Sequence, residues 1–264
     1  MKFSWLKGHG TQNDFVLIDD PDGALDLKPD FVAKLCDRRA GIGADGVLRV
    51  VRGEVMGSTA SWFMDYRNAD GSVSEMCGNG IRVFARFLFD EGRAESPMQI
   101  GTRAGIKTVF VDDDLISVDM GVPEVGGVSQ VQVDHFVFEA KEIRTGNPHA
   151  VVFVDDLNQA GSLQVAPSVD ESVYPGGANV EFVTRIGPQH LAMRVHERGS
   201  GETKSCGTGA CAAAVAAMKT AGAQGKYRVD VPGGTLFVVW AEDESMTLIG
   251  PAEIVARGTM EWLA

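Results

Sequence analysis

Long apolar runs are missing from this chain. The longest Ala/Val-rich stretch, Ala210 to Met218, is far shorter than the roughly 20 residues a bilayer-spanning helix needs. The opening Met1-Lys2-Phe3-Ser4-Trp5-Leu6-Lys7-Gly8-His9-Gly10 holds no apolar core of signal-peptide length, so the expectation is a soluble, cytoplasmic protein. Basic residues are also short: Lys+Arg total 24 against 36 Asp+Glu, a net charge of −12. That field repels phosphate backbones and anionic lipid heads, which argues against nucleic acid and membrane as partners. Four cysteines are too few for a disulfide scaffold, and a reducing compartment keeps them as thiols. Proline is sparse, 10 residues against 32 glycines, which implies many tight turns without collagen-like repetition. What remains, 44% hydrophobic and 23% charged over 264 residues, is an ordinary globular composition with room for one large domain or two of about 130 residues.

The thiols separate by context. Cys36 ends Phe31-Val32-Ala33-Lys34-Leu35-Cys36, whose apolar residues recur at helical spacing, and Cys211 lies in an alanine-rich stretch; both read as buried structural thiols. Cys77 and Cys206 each open a Cys-Gly-x-Gly pattern just ahead of a helical run. They are 129 residues apart, and the same offset places Met64 on Met193, Asn68 on Glu197, and the strand-like Trp62–Arg67 on Leu191–His196. An offset of 136 pairs Val16–Asp20 with Val152–Asp156, and loop insertions account for the difference. The chain therefore reads as two copies of one plan: strand, polar turn, Cys-Gly-x-Gly, helix.

Short alternating or apolar runs predict strands at Gly46–Val51, Ile106–Val111, Leu115–Met120, Asn179–Val183 and Leu236–Trp240, with a hairpin turn at Asp112-Asp113-Asp114. Helices are predicted over Asn79–Asp90, with a wide apolar face, and over Thr208–Thr220, which is apolar nearly all round and so belongs inside something. The fold class that follows is α+β: two pseudo-symmetric halves, each a curved, largely antiparallel sheet wrapped around one central helix. The expected division is 1–120 with Cys77, 121–252 with Cys206, and a return of 253–264 to the first half, with Gly121-Val122-Pro123 as the crossing.

A thiol reacts as its thiolate, and a helix N-terminus favours that charge. Glycines in the first turn let a ligand carboxylate reach the free N–H groups. If the two helix starts are brought face to face, one thiol can take an α-proton while the other returns one, which is the plan of a two-base racemase or epimerase.

The motifs Asn68-Ala69-Asp70-Gly71-Ser72, Met76-Cys77-Gly78-Asn79-Gly80-Ile81-Arg82, Gly146-Asn147-Pro148-His149-Ala150, Glu197-Arg198-Gly199-Ser200-Gly201-Glu202-Thr203 and Ser205-Cys206-Gly207-Thr208-Gly209-Ala210 resemble those of the diaminopimelate epimerase family. Matching segments run from Asn13-Asp14-Phe15 to Leu248-Ile249-Gly250-Pro251-Ala252, essentially the whole chain. The resemblance implies interconversion of LL- and meso-diaminopimelate for lysine and peptidoglycan precursors, without pyridoxal phosphate, other cofactor or metal, by a homodimer. It implies Cys77 and Cys206 as the acid/base pair, and Gly78, Asn79, Gly207 and Thr208 as donors to the reacting carboxylate. Asn13, Asn68, Asn147, Asn179, Glu197 and Arg198 would line the substrate site, with the guanidinium suited to the distal carboxylate. His149 and Glu197 would set the thiol protonation states. Read from the residues alone, the asparagines could be turn residues, His149 a structural histidine and Arg198 a solvated one.

Two positions depart from the family pattern: Gln12 stands where a glycine is frequent, and the loop Gly41-Ile42-Gly43-Ala44-Asp45-Gly46 lacks a glutamine and is given no ligand role. That loop spells G-x-G-x-x-G but follows a helix-like segment and enters a strand, the reverse of a dinucleotide site. Cys206 and Cys211, five apart without a Cys/His partner set, make a poor zinc site. The alternatives left open are an enzyme like proline racemase or hydroxyproline epimerase, a non-catalytic amino-acid-binding protein, and a thiol redox switch.

Overall fold

The computed structural model describes residues 2–261. The chain divides into two compact units, one holding the residues up to Val118 and from Gly250 onward, the other Asp119–Ile249.

In the first unit, β1 (Lys2–Gly10) and β2 (Asn13–Asp19) form an antiparallel hairpin. Its two turn residues, Thr11 and Gln12, have φ of 50° and 61°, the left-handed pair that suits strand twist and that glycine or asparagine adopts more cheaply. The amphipathic α1 (Pro29–Cys36) buries Phe31, Val32, Leu35 and Cys36 against Val16, Ile18 and Val47. Then come β3 (Gly46–Arg52), parallel to β2, β4 (Trp62–Asn68), antiparallel to β3, and α2 (Gly78–Asp90). β5 (Met98–Thr102), parallel to β4, is followed by antiparallel β6 (Gly105–Asp112) and β7 (Leu115–Gly121). Asp112 pairs with Leu115, and Asp113 has φ of 47°, so the acidic run is the expected hairpin turn.

The second unit contains β8 (Glu124–Val133), β9 (Phe136–Arg144), β10 (Pro148–Phe153), β11 (Ser168–Val169), β12 (Asn179–Gly187), β13 (His190–Glu197), β14 (Gly201–Thr203), α3 (Gly207–Ala221), β15 (Gly225–Val231), β16 (Gly234–Trp240) and β17 (Met246–Pro251) up to Ile249. The last strand, β18 (Glu253–Glu261), pairs antiparallel with β1. The final three positions of the predicted return segment, 262–264, lie outside the described residues.

The internal repeat extends to the pairing of the strands. Along β18-β1-β2-β3-β4-β5-β6-β7 the only parallel contacts are β2 with β3 and β4 with β5. Along β8-β9-β10-β12-β13-β15-β16-β17 the parallel contacts fall at the same two steps, β10 with β12 and β13 with β15. The strand order explains the buried helices. α2 touches β1, β2, β3, β4, β6 and β18, while α3 touches β9, β10, β12, β13, β15 and β16. Each sheet thus wraps one helix, which is why α3, apolar on all sides, is buried from Gly209 to Met218. Alternation along the strands gives each sheet two working faces. Phe15 of β2 lies close to Gly80 of α2, while Val16 and Ile18 face α1.

Candidate active site

Both helices that begin with Cys-Gly-x-Gly are capped by their cysteine. Cys77 has the extended backbone of an N-cap, φ −141° and ψ 122°, and its Sγ accepts from Gly80 N at 3.4 Å. Cys206 repeats this at φ −122° and ψ 115°, accepting from Gly209 N at 3.3 Å. In each case a sulfur replaces the usual Ser, Thr or Asp oxygen over the first turn, where free N–H groups and the helix dipole favour negative charge. Gly78, Asn79 and Gly207 are buried in those first turns, and Thr208 lies partly buried beside Cys206.

Around Cys77 a polar chain leads away from the sulfur. The thiol donates to Asn13 Oδ1 at 3.8 Å, and the same oxygen accepts from Asn79 Nδ2 at 3.1 Å. Asn13 Nδ2 donates to Asp45 Oδ2 at 2.8 Å, which fixes which end of the amide meets the thiol. Arg38 bridges Asp45 and Asp14, with contacts of 2.7 Å to each, and Lys7 reaches Asp14 at 2.7 Å. Burial opposes the Asp14 charge, yet the hydrogen bonds from Arg38 and Lys7 outweigh it and hold that carboxyl well below the usual range. Asp45 moves the other way, raised by burial and by the Asp14 charge beside it. Asn68 ends β4 and donates to Ser72 Oγ at 2.9 Å, which engages its amide within its own turn.

The second helix start is built from charge. Asn179, at the head of β12, donates from Nδ2 to Cys206 Sγ at 3.8 Å and accepts from Arg198 N at 2.9 Å. Thr208 Oγ1 lies 3.4 Å from the sulfur. Burial, then the Glu197 and Glu181 charges, push the Cys206 thiol well above its ordinary pKa. Burial also raises Glu197, opposed by hydrogen bonds from Thr203 and Cys206. His149 is fully buried, with Nδ1 2.7 Å from Glu181 Oε1 and Nε2 2.9 Å from Asn147 Oδ1. The Arg198 guanidinium is exposed and donates to Gly176 O at 2.7 Å.

The structure thus gathers Asn13, Asn79 and Gly78 at Cys77, and Asn147, His149, Asn179, Glu197, Gly207 and Thr208 at Cys206. The Arg198 backbone joins the second group while its guanidinium is held elsewhere. The remaining thiols behave as structural ones. Cys36 is buried on α1 and its thiol is pushed up to about 12 by burial; Cys211 is buried within α3. Three residues at these helix starts carry no role in the sequence reading. Asp45 orients Asn13 from the Gly41–Gly46 loop. Arg82, fully buried, donates to Gly78 O, Thr11 Oγ1 and Pro251 O at 3.2 to 3.3 Å. Glu181 lies two positions after Asn179 and shares its face of β12, so strand alternation was a signal for it; Asp45 and Arg82 had none. Among the described residues, no group of three or more His, Cys, Asp and Glu is placed to hold a metal ion, and no helix is long and apolar enough to cross a membrane.

Comparison with known proteins agrees with this geometry. The family model for diaminopimelate epimerase matches residues 5–125 and 142–255. A diaminopimelate epimerase of Streptomyces coelicolor is 50% identical over 99% of this chain and 97% of its own length. One from Thermobifida fusca is 47% identical over 98% of this chain and 97% of its own. Among solved structures, a phenazine biosynthesis protein of the PhzF family from Bacillus anthracis matches with a TM-score of 0.73 at 16% identity, covering 99% of this chain and all of that one. A hydroxyproline epimerase from Agrobacterium vitis matches at 0.68 and 16% identity, over 98% of this chain and 92% of its own. The two structural likenesses concern the fold, whereas the sequence matches span the whole chain, both cysteine corners included: the chain belongs to the diaminopimelate epimerase family.

Proposed function

We propose that Cys77 and Cys206 are the acid/base pair of this enzyme. As a member of its family the chain is an isomerase that interconverts LL- and meso-diaminopimelate. The observation that carries the assignment is the matched pair of N-cap cysteines, each with its sulfur over the first turn of a buried helix. Inversion at carbon takes a proton from one face and returns one to the other, so two groups must divide the work. Thiols suit it because one can be a base while the other is an acid, and the roles exchange after each turnover.

The N–H groups of Gly78-Asn79 and Gly207-Thr208 receive the carboxylate of the reacting centre, where helix dipoles stabilise the charge that develops as the proton leaves. Asn13, Asn68, Asn147, Asn179 and Glu197 hold the remaining polar groups, and the Arg198 guanidinium, exchanging Gly176 O for the ligand, takes the distal carboxylate. His149 and Glu197 tune Cys206. The reading includes a cytoplasmic homodimer that binds neither nucleic acid nor membrane, in keeping with the net charge of −12.

The test is incubation of reduced protein, without added cofactor, with LL-diaminopimelate in deuterium oxide. Early meso product should carry deuterium at the inverted centre while unreacted LL substrate stays largely unlabelled. Product without solvent label, activity only with added pyridoxal phosphate, or equal turnover of proline would overturn the assignment.

A further inference from the structure

Glu181 is the only carboxylate that both contacts His149 and borders the first turn of α3 among the described residues, and packing does not account for it. It is fully buried in β12, its Oε1 lies 2.7 Å from His149 Nδ1, and its Oε2 is buried without a hydrogen-bond partner. Leaving a carboxylate oxygen dry and unpaired is costly. The first unit shows what the fold itself requires there. β3 and β4 pair Leu48 with Tyr66, β12 and β13 pair Glu181 with Val195, and Tyr66 and Val195 are related by the 129-residue offset that relates the two cysteines. Leu48 and Glu181 also meet the same glycine of their motifs. A Cβ on Gly80 would lie 3.2 Å from Leu48 Cδ2, and one on Gly209 would lie 2.6 Å from Glu181 Oε1. A leucine therefore fills this place in the same architecture. The last glycine of the second motif is needed to let the carboxylate in.

We infer that Glu181 is a positioning residue of the epimerisation, acting on Cys206 through His149 and through its own charge. Its Oε1 accepts the Nδ1 proton of His149, which fixes the orientation of the ring with Nε2 facing the Asn147 amide. Its charge joins that of Glu197 in opposing a thiolate at Cys206. Among the described residues, the groups that bear on Cys206 include Glu197 from β13, Glu181 and Asn179 from β12, and the α3 donors Thr208 and Gly209 N, with His149 of β10 paired to Glu181. This inference rests on the assignment of Cys206 as an acid/base group.

The test compares Glu181→Gln and Glu181→Leu with wild type, the leucine being what the first unit carries. Expected are a loss in kcat of about 10- to 100-fold, a KM within about threefold, and movement of the pH profile for Cys206 alkylation to lower pH while that of Cys77 stays. The sign follows because removing a neighbouring negative charge lowers the pKa of a thiol. On wild-type protein with 15N-labelled histidine, the His149 ring should show a proton on Nδ1. A bare Nδ1, kcat within twofold of wild type, or a loss of kcat without movement of the Cys206 profile would each overturn the inference, the last because lost packing alone produces it. Cys206→Ala is measured alongside. If it still epimerises, the assignment of the thiol fails; if it is dead while Glu181→Gln is normal, only the role of Glu181 fails.

Discussion

The starts of α2 and α3 share a backbone and differ in almost everything that touches their sulfur. At Cys77 the amide of Asn13 presents its oxygen, locked in place by Asp45, and the neighbours under the first turn are Leu48 and Phe15. At Cys206 the amide of Asn179 presents its nitrogen, and the corresponding space holds Glu181, with His149 and Glu197 close by. Exposure differs too: Cys77 is half-buried and Cys206 is buried. Duplication therefore supplied two equal helix dipoles, and the surrounding side chains made the two thiols unequal. On the two-base reading proposed above, that inequality separates the two protonation states, since two equal thiols would compete for the same one.

The comparison breaks most sharply if one thiol proves dispensable. Cys77→Ala and Cys206→Ala should each lower kcat/KM for epimerisation by more than about 1,000-fold, measured by coupled assay of meso product, whereas Cys36→Ala and Cys211→Ala should change it little. A second contrast lies outside the site, where the 129-residue offset places Asp65 of β4 on Arg194 of β13. Asp65 is fully buried between Arg49, Arg67 and Arg103, while Arg194 is part-exposed and pairs with Glu202 at 2.7 Å. Asp65→Ala should cost about 3–5 kcal/mol by stranding the buried Arg49 and leaving Arg67 and Arg103 without their shared carboxylate. Arg194→Ala should cost only about 1 kcal/mol, both read from urea midpoints.

The same carboxylate sets a pH dependence. Burial opposes the Asp65 charge, but hydrogen bonds from Arg103 and Arg67 lower its pKa overall. A depressed folded-state pKa contributes stability that is complete above the unfolded value, about 3.9, and is lost as pH falls through the folded one. Acid unfolding of wild type should therefore steepen below about pH 4, and Asp65→Asn should flatten that limb. Smaller in effect is the difference in thiol reactivity. With limiting iodoacetamide at pH 8, Cys77 should be alkylated at least about tenfold faster than Cys206, as read by peptide mass spectrometry, because Cys206 is buried and its thiol pKa raised. The smallest effect concerns the β1–β2 turn, where Gln12 holds a left-handed backbone. Gln12→Gly should stabilise by about 1 kcal/mol, since glycine adopts φ of 61° without the side-chain penalty.

The elements that a linear pattern dictates were legible. Apolar patterning marked α2 and α3 to within a residue or two, and the repeated Cys-Gly-x-Gly marked the helix starts, because capping depends on adjacent residues. The family resemblance supplied the asparagines, which alone look like turn formers. What could not be read was anything set by a meeting of distant strands. Asp45 looked like one acid in a glycine-rich loop, and only the parallel pairing of β2 with β3 sets it against Asn13. Arg82 belongs to a helix face otherwise read as apolar, and its partners are Thr11 and Pro251, 71 and 169 residues away. Glu181 could have been placed on the face of Asn179 by alternation, but its pairing with His149 needs the crossover from β10 to β12.

The strand order also bears on how the protein is made. β18 is the last of the described strands, yet it pairs with β1 along nearly its whole length and touches α2, whose buried Arg82 reaches back to Pro251. The unit that carries Cys77 is therefore begun first by the ribosome and closed last, whereas residues 119–249 are contiguous and can close while synthesis continues. Until the final strand emerges, the edge of β1 and one side of α2 stay uncovered, and with them the support under the helix that Cys77 caps. Ageing of an incomplete chain, or loss of its final strand, would thus be felt at the first thiol rather than at the second, although the second is nearer in sequence.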